Sequence, residues 1–134
     1  MNAAMDERIQ WDDDFLNNLK KGFESLSKNE FACVIMEADS SLVWILARNN
    51  ISEPYHLVWK LNYATWKNLL HITLRYNSNN RFVAGHEWVC AYSPVGNVML
   101  KFNNKEWICK GTFPYFVQAL KQADKNILRF PTIV

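Results

Sequence analysis

Cys33-Val34-Ile35-Met36-Glu37-Ala38-Asp39-Ser40-Ser41-Leu42-Val43-Trp44-Ile45-Leu46 is the stretch whose reading decides the fold. Two apolar runs flank Asp39-Ser40, residues that favour turns because their side chains bond the nearby backbone. If Met36 pairs with Val43 across that turn, Val34 meets Ile45 and apolar side chains share a face. Side chains alternate along a strand, so a slip of one residue would turn them all to the other face.

The same test extends outward. Candidate strands lie at 31–37, 42–48, 55–63, 69–76, 82–92, 97–102 and 106–111, separated by Asn-, Ser-, Pro- and Gly-containing turns. Pairing Ile45 with Trp59 brings Val43 to Leu61 and Ala47 to Leu57. Pairing Leu61 with Ile72 brings Trp59 to Leu74 and Tyr63 to Leu70. Pairing Leu74 with Ala84 brings Leu70 to Trp88 and Tyr76 to Phe82. Pairing Cys90 with Leu100 brings Trp88 to Phe102 and Tyr92 to Val98, and then Phe102 meets Trp107 while Leu100 meets Cys109. These registers agree on one nearly continuous apolar face, which predicts an α+β fold with a single antiparallel meander of about seven strands.

Two amphipathic helices are the natural cover for that face. Asp12 or Asp13 caps the first, and Phe15, Leu16, Leu19, Phe23 and Leu26 recur at helical spacing. Thr112 and Pro114 open the second, where Phe116, Ala119, Leu120, Ala123 and Ile127 form the apolar stripe. Residues 64–69 fit either a helical turn or an extension of a strand.

The chain has 134 residues, 49% hydrophobic and 21% charged, so it fits one globular domain, with residues 1–10 expected as a flexible N-terminal segment. No stretch approaches the roughly 20 apolar residues of a membrane span, and no secretory h-region precedes the first helix. Cys33, Cys90 and Cys109 have no CxxC spacing, and the register sets Cys90 and Cys109 two strands apart. Three free thiols and a cytoplasmic location follow. Residues 1–40 carry nine acids and four bases, a net of −5, while residues 41–134 carry four acids and eleven bases, a net of +7.

The second sheet face is mixed. Lys60, Asn62, His71, Thr73 and Arg75 are polar, as a solvated face should be. Cys33, Ile35, Trp44 and Leu46 are not, so they need a cover. The cover is either a curl of the chain or its N-terminal segment, or else a protein partner or a second copy. Strand 31–37 is also expected at the sheet edge, apolar on both sides, where another chain could add to it.

Chemistry-bearing patterns are sparse. His71 and Glu87 fall opposite each other, and the plain reading is a cross-strand polar pair. His56, His71 and His86 are evenly spaced in sequence, but the strand directions do not bring them together, so no metal is expected. Asp12-Asp13-Asp14 reads as helix capping and, beside Trp11, as an acidic contact patch. The four glycines make neither a phosphate-binding loop nor a dinucleotide fingerprint, so no cofactor is implied. The predicted pI of about 8.4 is low for a nucleic-acid binder.

In outline the chain resembles two kinds of protein, in size and style and not through any motif. One is the small bacterial immunity proteins, compact cytoplasmic α+β domains without catalytic residues that block a cognate toxin. That resemblance implies a non-catalytic protein-binding module, with Trp11, Asp12, Asp13, Asp14, Ile35, Trp44 and Leu46 as partner contacts. The other is the helix-grip domain, in which a curved sheet wraps a C-terminal helix around a small-molecule cavity. Tyr63, Tyr76, His86 and Tyr92 would line that cavity.

Overall fold

The computed structural model describes residues 10–19, 22–75, 82–84, 88–92, 97–102 and 105–127. The order of elements is α1 (Asp13–Asn17), β1 (Phe23–Lys28), β2 (Ala32–Glu37), β3 (Val43–Ala47), β4 (His56–Leu61), α2 (Tyr63–Arg75), β5 (Phe82–Ala84), β6 (Trp88–Tyr92), β7 (Asn97–Phe102), β8 (Lys105–Lys110) and α3 (Phe113–Ile127). The fold is α+β and antiparallel, but the strands form two four-stranded meanders, β1-β2-β3-β4 and β5-β6-β7-β8, and not one of seven.

The deciding stretch folds as read: Met36 pairs with Val43 and Val34 with Ile45. Val43 meets Leu61 and Ile45 meets Trp59, after which a bulge sets Leu46 against Leu57 and Ala47 against His56 in place of the expected Ala47–Leu57 pair. In the second sheet Cys90 faces Leu100, Trp88 faces Phe102 and Tyr92 faces Val98. The last hairpin is shifted by two residues from expectation, with Leu100 opposite Trp107 and Val98 opposite Cys109. A two-residue shift keeps every side chain on its face, so the alternation of apolar residues cannot detect it.

Three expectations are corrected. The expected strand 69–76 lies in α2. Leu70, Ile72 and Leu74 alternate as in a strand, but Trp66, Leu69, Leu70 and Thr73 also recur as in a helix, and Asn62 caps that helix by accepting from the Thr65 N–H at 2.8 Å. Trp66, Leu69 and Leu70 are buried while Leu74 is 46% exposed, the pattern of a helix face. All pairings proposed through 69–76 fall with it. The expected strand 82–92 is a hairpin, β5 on β6, with Val83 opposite Cys90. The expected long N-terminal helix stops at Asn17, and β1 follows. Gly22 sits at φ +103°, a conformation closed to a continuing helix of L-residues. Phe15, Leu16, Leu19 and Phe23 then serve one core while Leu26 serves another.

β1 also changes the edge. β2 lies inside the sheet, paired on both sides, and β1 takes the edge position with exposed Glu24, Ser25 and Lys28 and a bulge between Ser25 and Ser27. Charge and a bulge both discourage pairing with a further strand.

The main core lies between the sheets and helices α2 and α3. It joins Val34, Ile45 and Trp59 of the first sheet to Val98, Leu100 and Cys109 of the second, with Trp66 and Leu69 from α2 and Phe116 and Leu120 from α3. α3 has the expected stripe, with Phe116, Ala119, Leu120, Ala123 and Ile127 all buried. Asn126 and the hydroxyl of Ser27 bind α3 to β1: the Asn126 amide donates to the Leu26 carbonyl, and Ser27 donates to the Ala119 carbonyl at 2.7 Å. None of the described helices is long and apolar enough to cross a membrane.

Candidate functional site

A second core lies on the opposite face of the first sheet. Cys33, Ile35, Trp44 and Leu46 supply its floor, and Trp11 and Leu16 cover it with partly buried Phe15 and Leu19. Residues 10–19 thus form a strap across the face that the sequence left uncovered. Asp12 caps the short helix of the strap by accepting from the Phe15 N–H at 2.8 Å. Trp11 rests edge-on against both Phe15 and Trp44, and makes an isolated bridge to Tyr55.

Under one end of the strap lies a buried cation. Arg48 is 4% exposed and donates to the Glu30 carbonyl at 2.6 Å and to the Glu53 carbonyl at 3.1 Å. Its guanidinium lies 4.1 Å from the centre of the Tyr55 ring and 3.5 Å from an oxygen of Asp13. Lys28 approaches the other oxygen of Asp13 at 3.1 Å, and this hydrogen bond is the main cause holding the Asp13 carboxyl below its usual pKa. The Tyr55 hydroxyl donates to the Asn29 carbonyl, and burial pushes its pKa up to about 12. Burial likewise pushes the Cys33 thiol up to about 12, so it is a protonated core group and no thiolate nucleophile.

The expected contact residues therefore divide. Trp11, Ile35, Trp44 and Leu46 are each at most 3% exposed and packed within this chain, so the apolar patch is closed by the strap itself. Asp13 and Asp14 are exposed, Asp13 paired with Lys28 and Arg48, and Asp12 is half-buried by its capping role. Among the cavity candidates, Tyr63 opens α2 and packs against the main core, and Tyr92 lies at the end of β6. Tyr76 and His86 lie outside the described residues. Where a helix-grip cavity would open between sheet and last helix, Trp59 and Phe116 meet with ring centres 6.4 Å apart.

Of the proposed ladder partners, His71 is exposed on α2 and not on a strand, and Glu87 lies outside the described residues. His56 is 3.9 Å from Glu53, and its ring centre lies 5.9 Å from that of Trp107. Among the described residues, no three of His, Cys, Asp and Glu gather as a metal site. Neither Cys33 nor Cys109 forms a disulfide, and they are buried in different cores.

A different surface emerges around Asn49, in the turn between β3 and β4. Its side-chain amide donates to the Ile108 carbonyl at 2.8 Å and accepts from the Lys110 N–H at 3.1 Å. This is how a neighbouring strand would bind the edge of β8, so Asn49 docks one sheet against the other as a single peptide group would. Its oxygen also accepts from the Thr112 hydroxyl at 3.0 Å, which fixes the start of α3. Around this anchor stand Ile51, Ile108 and Tyr115, at 54, 44 and 41% exposure, with the Phe31 ring tilted against Tyr115, their centres 4.8 Å apart. Asn29 holds the same turn of α3 by donating to the Tyr115 carbonyl at 2.7 Å. Glu30 and Glu53 flank the corner, and Arg48 links both of their carbonyls to Asp13 of the strap. No single motif marks this corner, because its members come from four separate segments.

A shallow open groove of about 460 Å³ lies elsewhere, between α2 and the start of α3, lined by Thr73, Leu74, Phe113, Val117 and Lys121 among others. No family model matches this chain, and neither a curated protein nor a solved structure matches it.

Proposed function

We propose that this chain is a non-catalytic protein-binding module, and that its specific role is that of a cytoplasmic bacterial immunity protein blocking a cognate toxin. The observation that carries the reading is the corner around Asn49. Three large apolar side chains, Ile51, Ile108 and Tyr115, stand exposed on backbone that hydrogen bonds hold in place. A fixed aromatic and aliphatic centre with a polar rim is the usual anatomy of a protein interface, and such anchors supply most of the binding energy. The rim carries Glu30 and Glu53 toward Asp13 and Asp14, and also the exposed Lys28 and Lys110, so a partner face of mixed charge with basic groups opposite the carboxylates is the complement. In this reading Asp13 and Asp14 are partner contacts, while Trp11, Ile35, Trp44 and Leu46 act by holding the strap.

The test is capture of the partner from native lysate with wild-type protein and with Tyr115→Ala, Ile108→Lys and Asp14→Lys variants, read by native mass spectrometry. A stoichiometric partner retained by the wild type and lost by the variants, at unchanged melting temperature, supports the reading. A partner held equally by all four proteins removes the corner as the contact surface. A bound small mass on an otherwise lone chain would instead favour the ligand-binding alternative, and the groove beside Leu74 and Val117 would be its first place to look.

A further inference from the structure

The strap covers an apolar face but is held by few ties. Its helix has five residues, far too short to persist without tertiary support. Among the described residues one backbone hydrogen bond joins it to the rest of the chain, from the Tyr55 N–H to the Trp11 carbonyl at 2.8 Å, and Lys28 donates to the Asn17 side chain at 3.3 Å. Its ion pairs all come from one half-exposed side chain, Asp13, to Lys28 and Arg48. The Asp13 carboxylate and Lys28 are open to solvent, so that pair contributes little and is screened by salt, while the Arg48 pair is buried on its cation side only.

What lies beneath is complete without it. Arg48 keeps the Glu30 and Glu53 carbonyls and the Tyr55 ring when Asp13 leaves. The Tyr55 hydroxyl keeps the Asn29 carbonyl, and Trp44 keeps its indole bond to Glu37 at 2.9 Å. Lifting the strap therefore strands no buried charge. It also relieves a defect, because the Trp11 indole N–H is buried with no acceptor among the described residues, and water would satisfy it. Opposing this is the apolar area of Trp11, Phe15, Leu16 and Leu19.

We infer that residues 10–19 open as a unit while both sheets and α2 and α3 stay folded, giving a native-like state that presents Cys33, Ile35, Trp44 and Leu46. The strap is then a built-in cover for a second apolar surface, and this inference stands without the binding reading above.

Two buried thiols report the difference, since Cys33 lies under the strap and Cys109 in the main core. The full-length protein is treated with iodoacetamide under native conditions, and the modified cysteines are located by peptide mass. Cys33 is expected to react at least about tenfold faster than Cys109, as a sub-global opening requires. Raising the ionic strength, or Asp13→Lys, should accelerate Cys33 and leave Cys109 unchanged. Hydrogen exchange at the Tyr55 amide should accelerate with Cys33, and exchange at Ile45, in the central strand β3, should not. Modification of both cysteines at one common rate, or an equal acceleration of both by salt, would overturn the inference, and the salt arm needs no variant to fold.

Discussion

At the scale of single residues, the polar groups of the second core act through what burial does to their protons. The thiol of Cys33 and the phenol of Tyr55 have ordinary values of 9.0 and 10.0, and burial raises each to about 12. Both groups are neutral in the folded chain well into the alkaline range. Below about pH 9 neither titrates in either state, so neither makes stability depend on pH. Between 9.0 and about 12 the unfolded chain releases protons that the folded chain keeps, so the unfolded state binds fewer and stability falls as pH rises. Asp13 has the opposite sign: its lowered carboxyl pKa favours the folded state above the usual 3.8 and loses that benefit as pH falls through the lowered value. Urea midpoints measured across the alkaline window should decline from about pH 9 upward. Tyr55→Phe should flatten the part of that decline above pH 10 and Cys33→Ala the part that begins at 9.0, whatever each variant does to stability at neutral pH. An undiminished alkaline slope in the double variant would show that these two groups are not its source.

At the scale of elements, α2 shows where a reading from pattern ends. Leu70, Ile72 and Leu74 alternate with His71, Thr73 and Arg75 as in a half-buried strand, and the same residues satisfy a helical stripe with Trp66 and Leu69. Local periodicity does not separate the two, and the Asn62 cap together with the core contact of Trp66 selects the helix. The two structures predict different costs. In a strand, Leu70 and Leu74 would point to the same face and be equally sensitive. In the helix, Leu74 is exposed and Leu69 is wholly buried. Leu74→Lys should change the denaturation free energy by less than about 0.5 kcal/mol. Leu69→Ala should cost about 2–5 kcal/mol. A large loss from Leu74→Lys with little from Leu69→Ala would restore the strand, in which Leu69 lies on the face opposite Leu70 and Leu74. The legible hairpins, β2–β3 and β6–β7, are those in which alternating apolar residues flank a short turn. The N-terminal segment was misread for the opposite reason. Phe15, Leu16, Leu19, Phe23 and Leu26 keep helical spacing by coincidence: the helix ends at Asn17, Gly22 has a positive φ, and along β1 Phe23 joins the core of the strap while Leu26 faces the main core.

At the scale of the molecule, the two sheets are not independent layers. Side chains from β2, β3 and β4 meet side chains from β7 and β8 in one core, and α2 and α3 close it from the other side, tied together by the pair of Lys67 with Asp124 at 2.9 Å. Asn49 adds the hydrogen bonds that seat β8 beside the first sheet. This joining is also why the candidate site was hidden: the sequence shows the members of each hairpin, but the corner of Phe31, Ile51, Ile108 and Tyr115 exists only once the two sheets meet. A shared core predicts shared unfolding, because neither sheet can expose its inner face without opening the other. Leu100, 1% exposed on β7, tests this from the second sheet. Leu100→Ala should cost about 2–5 kcal/mol by leaving a cavity. Native-state hydrogen exchange should show the amide of Ile45, in the first sheet, losing protection by the same free energy as amides of β7. If Ile45 kept its wild-type protection while β7 lost its own, the sheets would be separate cooperative units and the core would divide between them. Equal losses would leave the strap as the segment whose opening is distinct, since its face of the first sheet draws on none of the residues of the second.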